Sequence, residues 1–411
     1  MSEAEVALEW RRASARRLTT AAGQRLIVLH PGYPGSGPGP DFRDAILAGP
    51  GGILQRGDVE VHQHAADWVR HGHHRDRRYL GVILQVVRQK GLWTVAPLAD
   101  GRLAPTVVLR PRRSSCPAPP LPVESCRLEL PAGAPAASRR LRQDGMRRFL
   151  TKARRFQAHL LVTSPEQVLY EGVAEAAGYL ANREPFRELA RAVPLSELAS
   201  LATREATVDE GRLRLSRTLL LASGLAPAAG AAGSPKVRVD AALWNVAAGR
   251  PGNAPRARIE ALAAFLAVAL SHGLVEALDC LLARVPSDVP RVARRLLGAD
   301  RAWASTAGPA GPAAGGFGLA RADEIAVNIL LPFAFALGRA VPGRSDVASR
   351  AFGAYLNYPA LRDYAILKAA RSALSQGPTG GGACLQQGLL HRVERLCRRR
   401  PCWRCPLQGL V

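Results

Sequence analysis

The sequence predicts an α+β protein, with a small mixed-sheet N-terminal domain followed by an all-helical C-terminal domain that ends in a Cys-rich tail. Three observations predict it. Short runs rich in Val, Ile and Leu, separated by Gly/Pro turns, fill the first 110 residues. A proline-rich stretch, "PRRSSCPAPPLPVESC", begins at Pro111 and reads as a connector. Beyond it, apolar residues recur at helical spacing almost to the end. The expected division is a sheet domain over 1–110, a linker over 111–137, a helical domain over 138–380 and a tail over 381–411.

The elements follow in order. Residues 1–12 predict a short helix. Segments 24–30 ("QRLIVLH"), 43–48, 58–64 and 80–88 ("LGVILQVVR") predict strands, and 92–98 with 104–109 a further pair. The loop "PGYPGSGPGP" (31–40) alternates proline with glycine and suits neither helix nor sheet interior. Helices are predicted over 139–161, 165–181, 210–222, 255–273 and 322–337. Ile259, Leu262, Leu266 and Leu270 form one such apolar stripe. The glycine run "QGPTGGG" (376–382) is expected to detach the tail.

Composition narrows the functional classes. Of 411 residues 47% are hydrophobic and 22% charged, an ordinary balance for a globular protein. The N-terminus begins with acids and has no apolar core before a cleavage site, so a secretory leader is not expected and the predicted location is the cytoplasm. No apolar run reaches the length of a membrane span. The formal net charge of +23 points to a nucleic-acid partner. Only Lys90, Lys152, Lys236 and Lys368 among 56 basic residues are lysines. That arginine bias is also what a GC-rich genome produces. No G-x-x-x-x-G-K-[ST] loop and no G-x-S-x-G elbow occurs.

The stretch "GDVEVHQHAADW" (57–68) carries the chemistry. On a strand, alternate residues share a face, so Val59 and Val61 face a core while Glu60, His62 and His64 face the other way. Asp41 stands at the start of an earlier strand. Two acids from neighbouring strands can hold a hard cation such as magnesium or manganese, which neutralises a phosphate and activates water. Asp41 and Glu60 are therefore candidate metal ligands, and Asp41, Glu60 and His62 the candidate catalytic set.

A Pro-Asp pair, then a strand with Glu-x-Lys, then a helix and another strand is the pattern of the PD-(D/E)XK nucleases. "PDF" (40–42) and "EVH" (60–62) resemble it, and "DRRY" (76–79) resembles its auxiliary tyrosine element. Glu5 or Glu9 would correspond to the family's helical acid. His62 stands where that family carries lysine; a histidine binds metal or shuttles a proton. The resemblance implies metal-dependent phosphodiester cleavage. A second reading comes from "HQHAAD" (62–67) with His71, His73 and His74, which is similar to the metal loop of metallo-β-lactamase-like enzymes, offset by one residue, and would favour zinc. A third reading is a nucleic-acid-binding protein without catalysis.

The tail holds Cys384 and the series Cys397, Cys402 and Cys405, with His391 as a rival fourth ligand. "CRRRPCWRCPL" is similar to the iron–sulphur loop of endonuclease III-like glycosylases. Zinc or an iron–sulphur cluster is the expected occupant. Arg398, Arg399, Arg400 and Trp403 suit phosphate and base contacts. A second basic run, including Arg147, Arg148 and Lys152, lies on one predicted helix and would track a nucleic-acid backbone. Taken together, "GPDF", "GDVEVH", "GYLANREPFRELA" (178–190), "RPGNAPRARIEALA" (250–263) and the tail resemble a bacterial family catalogued as a domain of unknown function.

Overall fold

The computed structural model describes residues 2–35, 37–110, 134–202, 207–226, 238–247, 253–299, 316–372 and 381–396. The chain divides into two compact units, 1–119 and 120–411.

The first unit opens with helix α1 (Glu3–Trp10), whose Ser2 and Glu5 form a reciprocal capping box. Eight strands follow: β1 (Arg17–Thr19), β2 (Arg25–His30), β3 (Tyr33–Pro34), β4 (Phe42–Ala48), β5 (Leu54–His64), β6 (Val82–Gln89), β7 (Val95–Pro97) and β8 (Leu103–Val108). They form one mixed sheet in the order β1-β2-β4-β5-β6-β8-β7, with β3 paired to β4. β4 runs antiparallel to both of its neighbours, β2 and β5. β5, β6 and β8 are parallel neighbours. An antiparallel bridge between Thr20 and Val107 links the end of β1 to β8 and curls the sheet.

One face of the sheet carries Val28, Phe42, Val59, Val61, Leu84 and Val86, which pack with Val6 and Trp10 of α1. This is the alternation that the sequence predicts. The opposite face is mostly covered as well. Glu60 and His62 are buried there, and only His64 is exposed. The reason is the connection from β5 to β6. Parallel neighbours need a crossover, and residues 65–81 supply a compact one: helix α2 (Asp67–Arg70) and two 3₁₀ turns, His73–Arg75 and Arg77–Tyr79. Trp68 and Tyr79 from this segment pack with Val82, Ala96, Leu98 and Ala104 in a second small core.

The second unit is helical: α3 (Ala134–Leu160), α4 (Pro165–Ala177), α5 (Arg183–Ala192), α6 (Leu195–Ala202), α7 (Val208–Ala222), α8 (Pro255–Leu270), α9 (Leu274–Leu282), α10 (Val289–Leu296), α11 (Leu319–Ile325), α12 (Leu331–Ala340), α13 (Ser345–Asn357), α14 (Ala365–Ser372) and α15 (Ala383–Leu396). A π-helical stretch, Ala326–Leu330, joins α11 to α12. One core runs through α3 to α13, with Phe149, Phe156, Tyr170, Phe186, Phe265 and Phe333 fully buried. Among the described residues no single helix is long and apolar enough to cross a membrane.

Two boundaries differ from the expected ones. The first helix starts at Ala134, inside the stretch read as linker. The stretch read as a detached tail begins with α15, which is part of the unit: Leu389, Leu390 and Val393 share a core with Leu141 of α3. The two helices approach at glycines. A Cβ at Gly388 would strike the Leu141 carbonyl, and one at Gly145 the Cys384 carbonyl. Close backbone contact of this kind is what only glycine permits.

Candidate metal centre

The site is built on β5. Its third-from-last position, His62, is fully buried, and Glu60 is 5% exposed. Beside it, β4 carries a bulge between Phe42 and Ala45, at which Asp44 takes a left-handed conformation, φ 65°. Bulges redirect side chains at sheet edges and near sites. Asp44 is held by Arg56, which donates to its carboxylate, and its own N–H donates to Asp58 at 3.0 Å. Just before the bulged strand, Asp41 is joined to β5 by two reciprocal hydrogen bonds. Its N–H donates to Glu60 Oε2 at 2.8 Å, and the Val61 N–H donates to Asp41 Oδ2 at 3.0 Å. Two acids nineteen positions apart are thus locked side by side.

The crossover supplies the remaining groups. His73 Nε2 lies 3.3 Å and His62 Nε2 3.7 Å from Glu60 Oε1. His62, His71 and His73 each offer a ring nitrogen, and these atoms lie within 4.8 Å of one another. Tyr79 stacks on His73 with ring centroids 3.9 Å apart, and Trp68 meets both His73 and His62 edge-on. The trio runs from buried His62 through half-buried His73 to exposed His71, so the cluster opens to solvent at one end.

Charge is poorly compensated in this cluster. Burial, and then the Glu60 charge, push the Asp41 carboxyl up to about 7. Burial, and then His73 and His71, hold the His62 imidazole down at about 3. Burial and Glu60 push the Tyr79 phenol up to about 12. Glu3, at the start of α1, is raised by burial and senses His71, Glu60, Asp67 and His73. Burial thus favours the neutral form of both the acid and the imidazole, so the cluster carries less charge than its composition implies. The donor set of imidazole nitrogens beside carboxylates fits a borderline divalent cation, zinc or manganese, better than magnesium. The His62 Nε2 atom is buried without a hydrogen-bond partner, as a group awaiting a ligand would be.

The sequence-predicted residues therefore divide. Asp41, Glu60 and His62 come together. Of the acids on α1, Glu3 is the one whose carboxyl senses the cluster, whereas Glu5 caps Ser2 and Glu9 faces Arg12. Cys384 is buried in the helical unit, its thiol donates to the Arg142 carbonyl at 3.6 Å, and burial pushes it up. In this structure its partners are therefore α3 and the helical core, not other cysteines among the described residues. Cys397, Cys402, Cys405, Arg398, Arg399, Arg400 and Trp403 lie outside the described residues.

The basic face of α3 is not the free stripe that the sequence suggests. Arg148 donates to Gln387 at 2.9 Å and pairs with Glu394, both on α15. Lys152 donates to Gln387 at 3.0 Å and to Asn328 of the π-helical stretch. Burial, and then Arg148, hold its ammonium well below the usual lysine range. Arg147 is exposed and pairs with Asp144.

Sequence reasoning passed over Gln85 and Thr106, both fully buried. Gln85 of β6 sits beside Glu60 in the strand register, and Thr106 of β8 beside Gln85. The available signal was a glutamine interrupting the aliphatic run "VILQVV".

The fold and the cluster define a mixed-sheet unit with an acid–imidazole centre under its crossover, joined in sequence to a helical unit. Residues 6–119, which span the described sheet unit, match the family model described as "Protein of unknown function (DUF2851)". The match does not extend to 178–190, 250–263 or 386–407, on which the wider resemblance also rested. No curated protein and no solved structure matches the chain.

Proposed function

We propose that the sheet unit is a divalent-metal-dependent hydrolase of nuclease type, acting on phosphodiesters. The observation that carries the reading is the convergence of Asp41 and Glu60, hydrogen-bonded to each other's strand, with His73 and His62 within 3.7 Å of Glu60. The order of elements also supports it. A helix with acids, three short strands, a Pro-Asp pair opening β4, Glu-x-His on β5, a crossover and the parallel β6 come in an order similar to that of the PD-(D/E)XK pattern.

Glu60, with the histidines of the crossover, would hold the ion. When bound, a divalent cation neutralises phosphate charge and lowers the pKa of water toward neutrality. The chain's own residues do the rest. Asp41, whose carboxyl is poised at about 7, exchanges a proton with water at neutral pH, where a general base is most effective. Trp68 and Tyr79 exclude bulk water from the buried end. The exposed end at His71 admits an extended substrate. The second reading, nucleic-acid binding without catalysis, draws on the +23 charge and on His62 in place of lysine.

The test is cleavage of supercoiled plasmid and single-stranded DNA with manganese, zinc or magnesium in turn. Cleavage is expected with manganese or zinc, and Asp41→Ala and Glu60→Gln should each lower its rate by more than about a hundredfold. Equal nicking by wild type and Asp41→Ala would remove the enzymatic reading. Salt-sensitive binding without nicking would leave the binding one.

A further inference from the structure

We propose that Gln85 and Thr106 lock His62 in the tautomer that carries its proton on Nε2. His62 then offers the site an N–H donor for an oxyanion, such as a phosphate oxygen, and leaves metal ligation to Glu60, His71 and His73. The assignment of the oxyanion rests on the hydrolase reading; the tautomer does not.

The chain of hydrogen bonds leaves little freedom. The Ala65 carbonyl can only accept, and Gln85 Nε2 donates to it at 3.1 Å. The orientation of the amide is thereby set, with Oε1 on the other side, where it accepts from Thr106 Oγ1 at 3.0 Å. The remaining amide hydrogen faces His62 Nδ1, 3.2 Å from Gln85 Nε2. A nitrogen that faces a donor must present its lone pair, so Nδ1 is bare and the proton of the neutral ring sits on Nε2. Flipping the amide would bring its oxygen against the Ala65 carbonyl.

A metal-bound histidine needs the opposite arrangement. Its second ring nitrogen donates outward, usually to a carboxylate or carbonyl. Gln85 presents N–H where such an acceptor would be required. The Nε2–H that results is fully buried and has no hydrogen-bond partner, with Glu60 Oε1 at 3.7 Å, beyond hydrogen-bond reach. It is a spare donor beside two acids and two further imidazoles. An anionic oxygen held by the ion would satisfy it.

The tautomer is read directly from two-bond proton–nitrogen correlations on the full-length, metal-free protein labelled with ¹⁵N-histidine. The His62 ring is identified by its loss in His62→Gln. A protonated Nε2 with a bare Nδ1 is expected; a protonated Nδ1 overturns the proposal. In Gln85→Glu the buried carboxyl, protonated so that its O–H donates to the Ala65 carbonyl, accepts from Nδ1–H with that same oxygen, so the tautomer should reverse. His62 then becomes a competent ligand, and cobalt(II) affinity, followed by its visible absorption, should rise about tenfold or more. An unreversed tautomer in a folded Gln85→Glu protein overturns the role of Gln85. Should that variant fail to fold, the wild-type spectrum alone decides. Failure of the wild type to bind cobalt(II) would defeat the metal reading, and the tautomer would still be decided by the spectrum.

Discussion

The crossover of the sheet unit and the α3–α15 pair of the helical unit look alike in sequence, since both are dense in ionisable residues. They are resolved in opposite ways. On α3, the buried Asp144 collects Arg147 at 3.1 Å, Arg140 at 3.5 Å and Arg392 of α15 at 2.9 Å. Arg155 pairs with Glu175 at 2.9 Å, and Arg148 with Glu394. Under the crossover, three imidazoles and two acids share a space with no guanidinium aimed at Glu60 or Asp41 in any hydrogen bond or ion pair found among the described residues. Paired charge is what packing tolerates. Unpaired charge persists where something else completes it. The contrast separates charges that packing has paired from those it has left facing one another better than a count of either.

The largest effect expected from breaking the contrast is at Trp68. It is 1% exposed, donates to the Pro97 carbonyl at 2.7 Å, and covers the histidine cluster. Trp68→Ala should cost about 3–5 kcal/mol, measured by urea denaturation. It should also weaken zinc or manganese binding, because the crossover loses its anchor. A loss of stability with unchanged metal affinity would mean that the crossover does not hold the histidines.

Asp144→Asn tests the other side of the comparison. It leaves three guanidinium groups around one neutral amide, with the Arg392 side chain only 11% exposed. The expected cost is about 3 kcal/mol. A cost below about 0.5 kcal/mol would place this network with ordinary surface ion pairs.

A smaller, pH-dependent effect is expected at Asp41. The folded protein keeps its proton up to about pH 7, whereas an unfolded aspartate releases it near pH 4. The folded state therefore binds more protons in that window, and metal-free stability should fall as pH rises through it. The difference between wild type and Asp41→Asn should change by on the order of 3–4 kcal/mol between pH 4 and 7.5. His62 acts in the opposite sense, since its folded form resists protonation down to about 3; it is common to both proteins and largely cancels in the difference. A flat difference would mean that Asp41 is not poised as described.

Much of the fold was legible in the sequence. The strands at 25–30, 42–48, 54–64 and 82–89 follow from β-branched runs between turns, and α4, α7 and α8 from helical spacing. Less of the site was legible. Asp41, Glu60 and His62 were found because strand alternation and a known motif order point to them. Glu3, Gln85 and Thr106 were not, because their partners lie on other elements and local pattern carries no information about them. α15 was misread for the same reason: a glycine run suggests a break, while the close approach at Gly145 and Gly388 is visible only once α3 lies against the helix.

By itself the sequence determined the two-part organisation and the core face of β5, and it nominated Asp41, Glu60 and His62, because periodicity and side-chain chemistry are local. Only the tertiary structure decided which charges are neutralised and which are left facing one another. Electrostatic compensation depends on distances of 3–4 Å between elements far apart in the chain, and those distances are set by how a crossover folds over its sheet.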